Sequence, residues 1–82
     1  MTLYKFNLLP YDRQLVAVFD AGHKVATRWE EEDWVNLYWL PGGIFVELYY
    51  DTHLKEITQL KSFTSSDPLG DYAAYVQLPE EL

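Results

Sequence analysis

Apolar and polar positions change rhythm along the chain. Over residues 10–22, PYDRQLVAVFDAG, Tyr11, Leu15, Val18 and Phe19 recur at helical spacing and share one face. Pro10 suits the first helical position, and Gly22 suits the left-handed position just past the end. Asp12 falls in the first turn, where the helix dipole favours a carboxylate. The preceding TLYKFNLL reads as a short strand or an extended arm. Over residues 23–30, HKVATRWE, the rhythm becomes alternation. Val25, Thr27 and Trp29 share one face, and Lys24, Ala26, Arg28 and Glu30 the other.

After the acidic turn Glu30-Glu31-Glu32-Asp33, residues 34–51 read as a hairpin, WVNLYWLP-GG-IFVELYYD. Gly42-Gly43 suits a two-residue turn with positive φ. Such a turn pairs Pro41 with Ile44, Trp39 with Val46, Leu37 with Leu48 and Val35 with Tyr50. One face is then Val35, Leu37, Trp39, Ile44, Val46, Leu48 and Tyr50. The other mixes Trp34, Asn36, Tyr38, Leu40, Phe45, Glu47, Tyr49 and Asp51. A three-residue loop would shift the register by one and leave neither face clean. Because segregation of apolar residues sets register, the two-residue turn is the expectation. Val25, Thr27 and Trp29 would join the core face if an odd number of loop residues follows Glu30.

Residues 54–63, LKEITQLKSF, repeat apolar residues every third position and fit neither helix nor strand well. Ile57, Thr58 and the short link after Asp51 favour an edge strand, with Lys55 and Lys61 discouraging edge-to-edge pairing. Residues 67–77, DPLGDYAAYVQ, read as a second helix, with Asp67 as cap and Pro68 at its first position. The expected fold is α+β and a single domain over residues 1–82. A three- or four-stranded antiparallel meander carries the N-terminal helix (10–22) and the C-terminal helix (67–77) on one face.

Composition narrows the function classes. Aromatic residues make up 17% of the chain, a dense supply of buried area for a small core. Thirteen acidic residues against six basic ones give a net charge of −7. The bases are spread from Lys5 to Lys61 without a patch, so nucleic acid and anionic membranes are not expected partners. No apolar run approaches the roughly 20 residues of a membrane span, and no signal peptide is apparent. Absence of cysteine excludes disulfides and thiolate metal sites and suits a cytoplasmic protein.

The run GGIFVELYYD, followed by QLKSFTSSDPLGDY, resembles a group of short uncharacterised bacterial proteins. The shared positions are Phe45, Val46, Glu47, Tyr49 and Tyr50, then Ser62, Phe63, Ser65, Leu69 and Tyr72. The resemblance implies an α+β fold and carries over no activity and no site.

Chemistry-bearing residues are sparse. His53 beside Asp51 could form a base with an orienting carboxylate, but one such pair in a polar turn falls short of the three or four ligands of a metal site. Ser62, Ser65 and Ser66 have no neighbouring His and suit turn and cap roles. The run Glu30 to Asp33 lacks the spacing of a calcium loop, and Pro41-Gly42-Gly43 lacks that of a phosphate loop. No enzyme activity and no cofactor are expected. The strongest feature is the outer sheet face expected from the two-residue turn: Trp34, Tyr38, Leu40, Phe45 and Tyr49, with Arg28 and Glu47 nearby. With half of each ring exposed, such a patch reaches roughly 400 Å², the size at which apolar patches mark contact sites. The competing reading is structural, with cross-strand aromatic pairing or cover by Leu3, Tyr4 and Phe6 of the N-terminal arm. The leading expectation is a protein-binding module whose partner is another protein or a second copy of the chain. The alternative is an acidic inhibitor or immunity-type protein that covers a basic site on a target.

Overall fold

Thr2 starts the first helix. Its hydroxyl accepts a hydrogen bond from the Lys5 N–H at 3.1 Å, so a free N–H of the first turn is satisfied. The computed structural model describes residues 1–64. Within them the order is α1 (Leu3–Leu8), α2 (Tyr11–Ala21), β1 (His23–Glu30), β2 (Asp33–Leu40), β3 (Ile44–Asp51) and β4 (Glu56–Phe63). The strands form an antiparallel sheet in sequence order, β1-β2-β3-β4. The α+β class, the meander and the helix expected over 10–22 are all present. The helix expected over 67–77 lies outside the described residues.

The N-terminal segment is helical, not the strand or extended arm its composition suggested. Its one deeply buried residue is Phe6, which sits with Leu3 in the main core. Pro10 stands one position earlier than expected, as the cap residue of α2. Its carbonyl accepts from the N–H groups of Arg13 and Gln14, both at 2.9 Å. Gly22 adopts extended backbone at φ −82°, not the left-handed conformation expected of it. Glycine is needed there for another reason: a Cβ would lie 2.4 Å from the Val18 carbonyl oxygen.

The hairpin register also differs from expectation. Leu40 pairs with Ile44, so the turn is Pro41-Gly42-Gly43, with Gly42 at φ 100° and Gly43 at φ 76°. Pro41 has no N–H for the ladder and is better placed in the turn than in a strand pair. Opposite residues share a face, so each predicted face is split in two. Leu40, Ile44, Val46 and Leu48 face the helices and form the main core with Phe6 and Val18. Val35, Leu37, Trp39, Phe45, Glu47 and Tyr49 face the other way. Val25, expected on the core face with Thr27 and Trp29, falls at a bulge between Lys24 and Ala26 and packs with Leu37 and Phe45 on the far face.

Helix α2 crosses the sheet diagonally. At its start the Tyr11 hydroxyl donates to the Ile57 carbonyl in β4 at 3.5 Å. At its end Val18 packs with Leu40 in β2. Helix α1 lies beside β4, where the Ser62 hydroxyl donates to Asn7 Oδ1 at 2.6 Å. Gln14 joins the helices by donating to the Phe6 carbonyl at 3.1 Å. Among the described residues, no helix is long and apolar enough to cross a membrane.

Candidate interaction surface

The helices leave one corner of their own sheet face open, at the β1–β2 turn. Trp29 and Trp34 stand there as a cross-strand pair, ring centroids 4.4 Å apart at an angle of 64°. Trp29 is 52% exposed and Trp34 45%. The pairing continues through Trp34 to Tyr50 and from Tyr50 to Ile57, so one row of the sheet carries two indoles and a phenol. Along β2 on the same face lie Asn36, which accepts from the Thr27 hydroxyl at 2.8 Å, and then Tyr38. Phe19, exposed on α2, meets Tyr38 edge-on with centroids 6.2 Å apart. Burial raises the Tyr38 hydroxyl pKa above its ordinary value.

The next row outward is acidic on every strand, and its side chains point to the opposite face, away from the two tryptophans. Glu30 pairs with Asp33, Asp33 with Asp51, and Asp51 with Glu56. Glu31, in the turn at the end of this row, takes a left-handed φ of 53°. Like charges placed directly opposite repel, and local bases relieve part of this. The Arg28 guanidinium binds Glu30, and His53 Nε2 lies 2.9 Å from Glu32. Asp51 Oδ1 accepts from the N–H groups of His53 and Leu54 at 2.8 and 2.9 Å. The bond from Leu54 holds the Asp51 carboxyl below its ordinary range, aided by the His53 N–H and the His53 charge and opposed by partial desolvation. Asp51 therefore organises the β3–β4 turn, and His53 turns its ring nitrogen to Glu32. No group of three or more His, Asp or Glu residues among those described converges to hold a metal ion.

The seven residues expected to share one outer face are divided. Trp34, Tyr38 and Leu40 lie on the helix side, and Leu40 is buried beneath the helices. The N-terminal segment does cover part of that face, through Leu3 and Phe6, while Tyr4 points to solvent. Arg28, Phe45, Glu47 and Tyr49 lie on the far face, where the last three are buried. The Phe45 ring stacks on Phe63 with centroids 5.6 Å apart. Arg28 donates to Glu47 at 3.2 Å and to the Tyr49 hydroxyl at 3.3 Å, and Lys61 sits over the Tyr49 ring at 5.1 Å. These side chains, with Glu30, line an open pocket of about 600 Å³ in which two bases face two acids. Trp29 and Phe19 are the surface residues that pattern reading missed, because it assigned both to core faces. The only sequence signal for Trp29 is its place beside four acidic residues in a row.

Compared with models of known protein families, with curated proteins and with solved structures, the chain matches none.

Proposed function

We propose that this chain is a small non-catalytic module that binds a protein partner through the Trp29–Trp34 corner, with Tyr38 and Phe19 as its shoulder. One observation carries the reading: two tryptophans in mutual contact are each left about half exposed. Large aromatics supply contact area at low entropic cost, and Trp and Tyr are enriched among residues that dominate binding energy. The reading moves the binding surface away from Phe45 and Tyr49, which are buried. The cysteine-free composition is compatible with a reducing compartment such as the cytoplasm.

The test compares Trp29→Ala/Trp34→Ala with Tyr4→Ser/Leu8→Ser, which alters exposed apolar residues on α1 instead. Partner capture from the source cells and solution mass by light scattering are measured for both, at matched melting temperature. Loss of capture, or of self-association, in the tryptophan variant alone supports the corner. Equal behaviour of the two variants removes it.

A second reading has its own observation. The carboxylate row Glu30–Asp33–Asp51–Glu56 suits an inhibitor or immunity-type protein that covers a basic site. That reading predicts binding that collapses with salt and is indifferent to Trp29 and Trp34.

A further inference from the structure

We infer that the chain covers its own far face: residues 65–82 dock across the sheet on the side opposite α1 and α2, over Leu37, Trp39 and Phe45. The inference is independent of the Trp29–Trp34 corner. Burial carries it. On the far face Val35 and Leu37 expose nothing, Phe45 is 5% exposed and Tyr49 6%. Both described helices pack on the other side, and the far-face cluster of Ala26, Leu37 and Phe45, with Val25, Trp39 and Phe63, is built from strand residues alone. Neighbours within a sheet surround a side chain but leave its tip open, so a face without a second layer stays in contact with water. Leu37 is the sharpest case, because its lateral neighbours are the small Ala26 and Glu47. The Trp39 indole nitrogen is likewise shut off from water, with no acceptor among the described residues.

The cover belongs to the same chain. The burial is complete within a single copy, so neither a second copy nor another protein is needed to supply it. Strand β4 delivers the chain to the right place, since its last residue, Phe63, stacks on Phe45 on this face. The sequence that follows has the pattern to stay there. Leu69, Tyr72, Ala73 and Val76 recur at helical spacing and form one apolar stripe. A helix over 67–77 would be about 16 Å long, against about 14 Å across four strands, so it spans the sheet. Asp67 and Asp71 fall on the side of such a helix away from the stripe, which keeps their charge off a face that already holds Glu47. A tethered segment also binds at high effective concentration, without the cost of recruiting a separate molecule.

The test exploits the absence of cysteine. A nitroxide attached at Ala74→Cys in the full chain broadens the methyl signals near it. Val35 and Leu37 are expected to broaden severalfold more than Val18, Val46 and Leu48 on the helix side. Equal broadening of the two sets, or stronger broadening on the helix side, would overturn the inference. Nitroxide-bearing chains are then mixed with chains that carry only the methyl label. Val35 and Leu37 of the latter should stay sharp, and broadening there would assign the cover to a second copy and overturn the inference too. A second measurement leaves Trp39 as the only indole, in the background Trp29→Phe/Trp34→Phe. Adding Leu69→Ser/Tyr72→Ser/Val76→Ser should raise acrylamide quenching of Trp39 severalfold, and unchanged quenching in a folded chain counts against the docking. Where that variant fails to fold, the nitroxide comparison, made with the apolar stripe intact, decides.

Discussion

Leu40 stands directly opposite Ile44 at the hairpin tip, and both are buried. This one pair sets the register of the central strands. Moving the partner of Leu40 by a single residue would exchange the faces of one strand relative to the other. In the observed register Ile44, Val46 and Leu48 lie under the helices with Leu40, and Glu47 turns to the side that holds Arg28 and, directly across from it, Lys61. A buried carboxylate beside two cations costs far less than one under an apolar helix.

The turn that enforces this register should depend on its glycines. Both hold φ in the left-handed range, where an L side chain costs about 1–2 kcal/mol. A Cβ on Gly43 meets open space, whereas one on Gly42 would lie 2.2 Å from the Met1 carbonyl oxygen. Gly43→Ala is therefore expected to destabilise by about 1 kcal/mol, and Gly42→Ala by more, in urea unfolding. Equal or negligible effects would contradict the turn geometry.

The Arg28–Glu47 pair should behave as a buried ion pair. The two side chains are only 14% and 8% exposed, at 3.2 Å. Glu47→Leu removes the more buried of the two carboxylates bound by Arg28, with Glu30 remaining, and is expected to cost about 2 kcal/mol. The double variant Arg28→Met/Glu47→Leu should recover at least half of that, because neither member of the pair is then left without the other. A double-mutant cycle by chemical denaturation measures it, and a simple sum of the single losses would mean that the pair is not coupled.

Much of the fold was legible because it follows from local rhythm. The spacing of Leu15 and Val18 marks α2, and the alternation in residues 23–30 and 34–51 marks three strands. The failures have one physical origin. Residues 44–50 are apolar on both faces except for Glu47, so alternation alone does not say which face meets the helices. Glu47 resembled a surface residue, yet it is buried with its charge met by Arg28. Pro41 was the available signal for a three-residue turn, since it cannot donate in the ladder. With the register displaced, the aromatic surface was displaced too. Trp29 entered the expected core, and Phe45 and Tyr49 entered the expected surface. Leu3–Leu8 was hidden for another reason: six residues have little helical preference alone, and the burial of Phe6 against the sheet stabilises the helix.

Phe45 and Trp34 should now separate stability from binding. Phe45 is stacked on Phe63 in the far-face core. Phe45→Ala is expected to cost about 3–4 kcal/mol, as for other large-to-small changes in a core. Trp34 is half exposed, and Trp34→Ala should cost about 1 kcal/mol, mainly from its contact with Trp29. Melting temperatures of the two variants decide it. A Phe45 variant as stable as the wild type would mean that the far face is not a core.

Asp51 predicts an acid-sensitive turn. Its carboxyl titrates below the ordinary 3.8 because it accepts the Leu54 and His53 N–H groups and lies near the His53 charge. The unfolded chain therefore takes up the proton first as pH falls. The stabilisation is complete above the ordinary value. It is lost between that value and the lower folded-state one, and is absent below both. Asp51→Asn keeps an acceptor oxygen for the two N–H groups and removes the charge. Wild type should melt above this variant near neutral pH, with the gap closing as pH drops from about 5 to about 2. Melting curves of both proteins across that range make the comparison. A gap that stays constant to the lowest pH would show that the carboxylate charge contributes nothing to the turn, and that the two hydrogen bonds alone hold residues 51–54 in place.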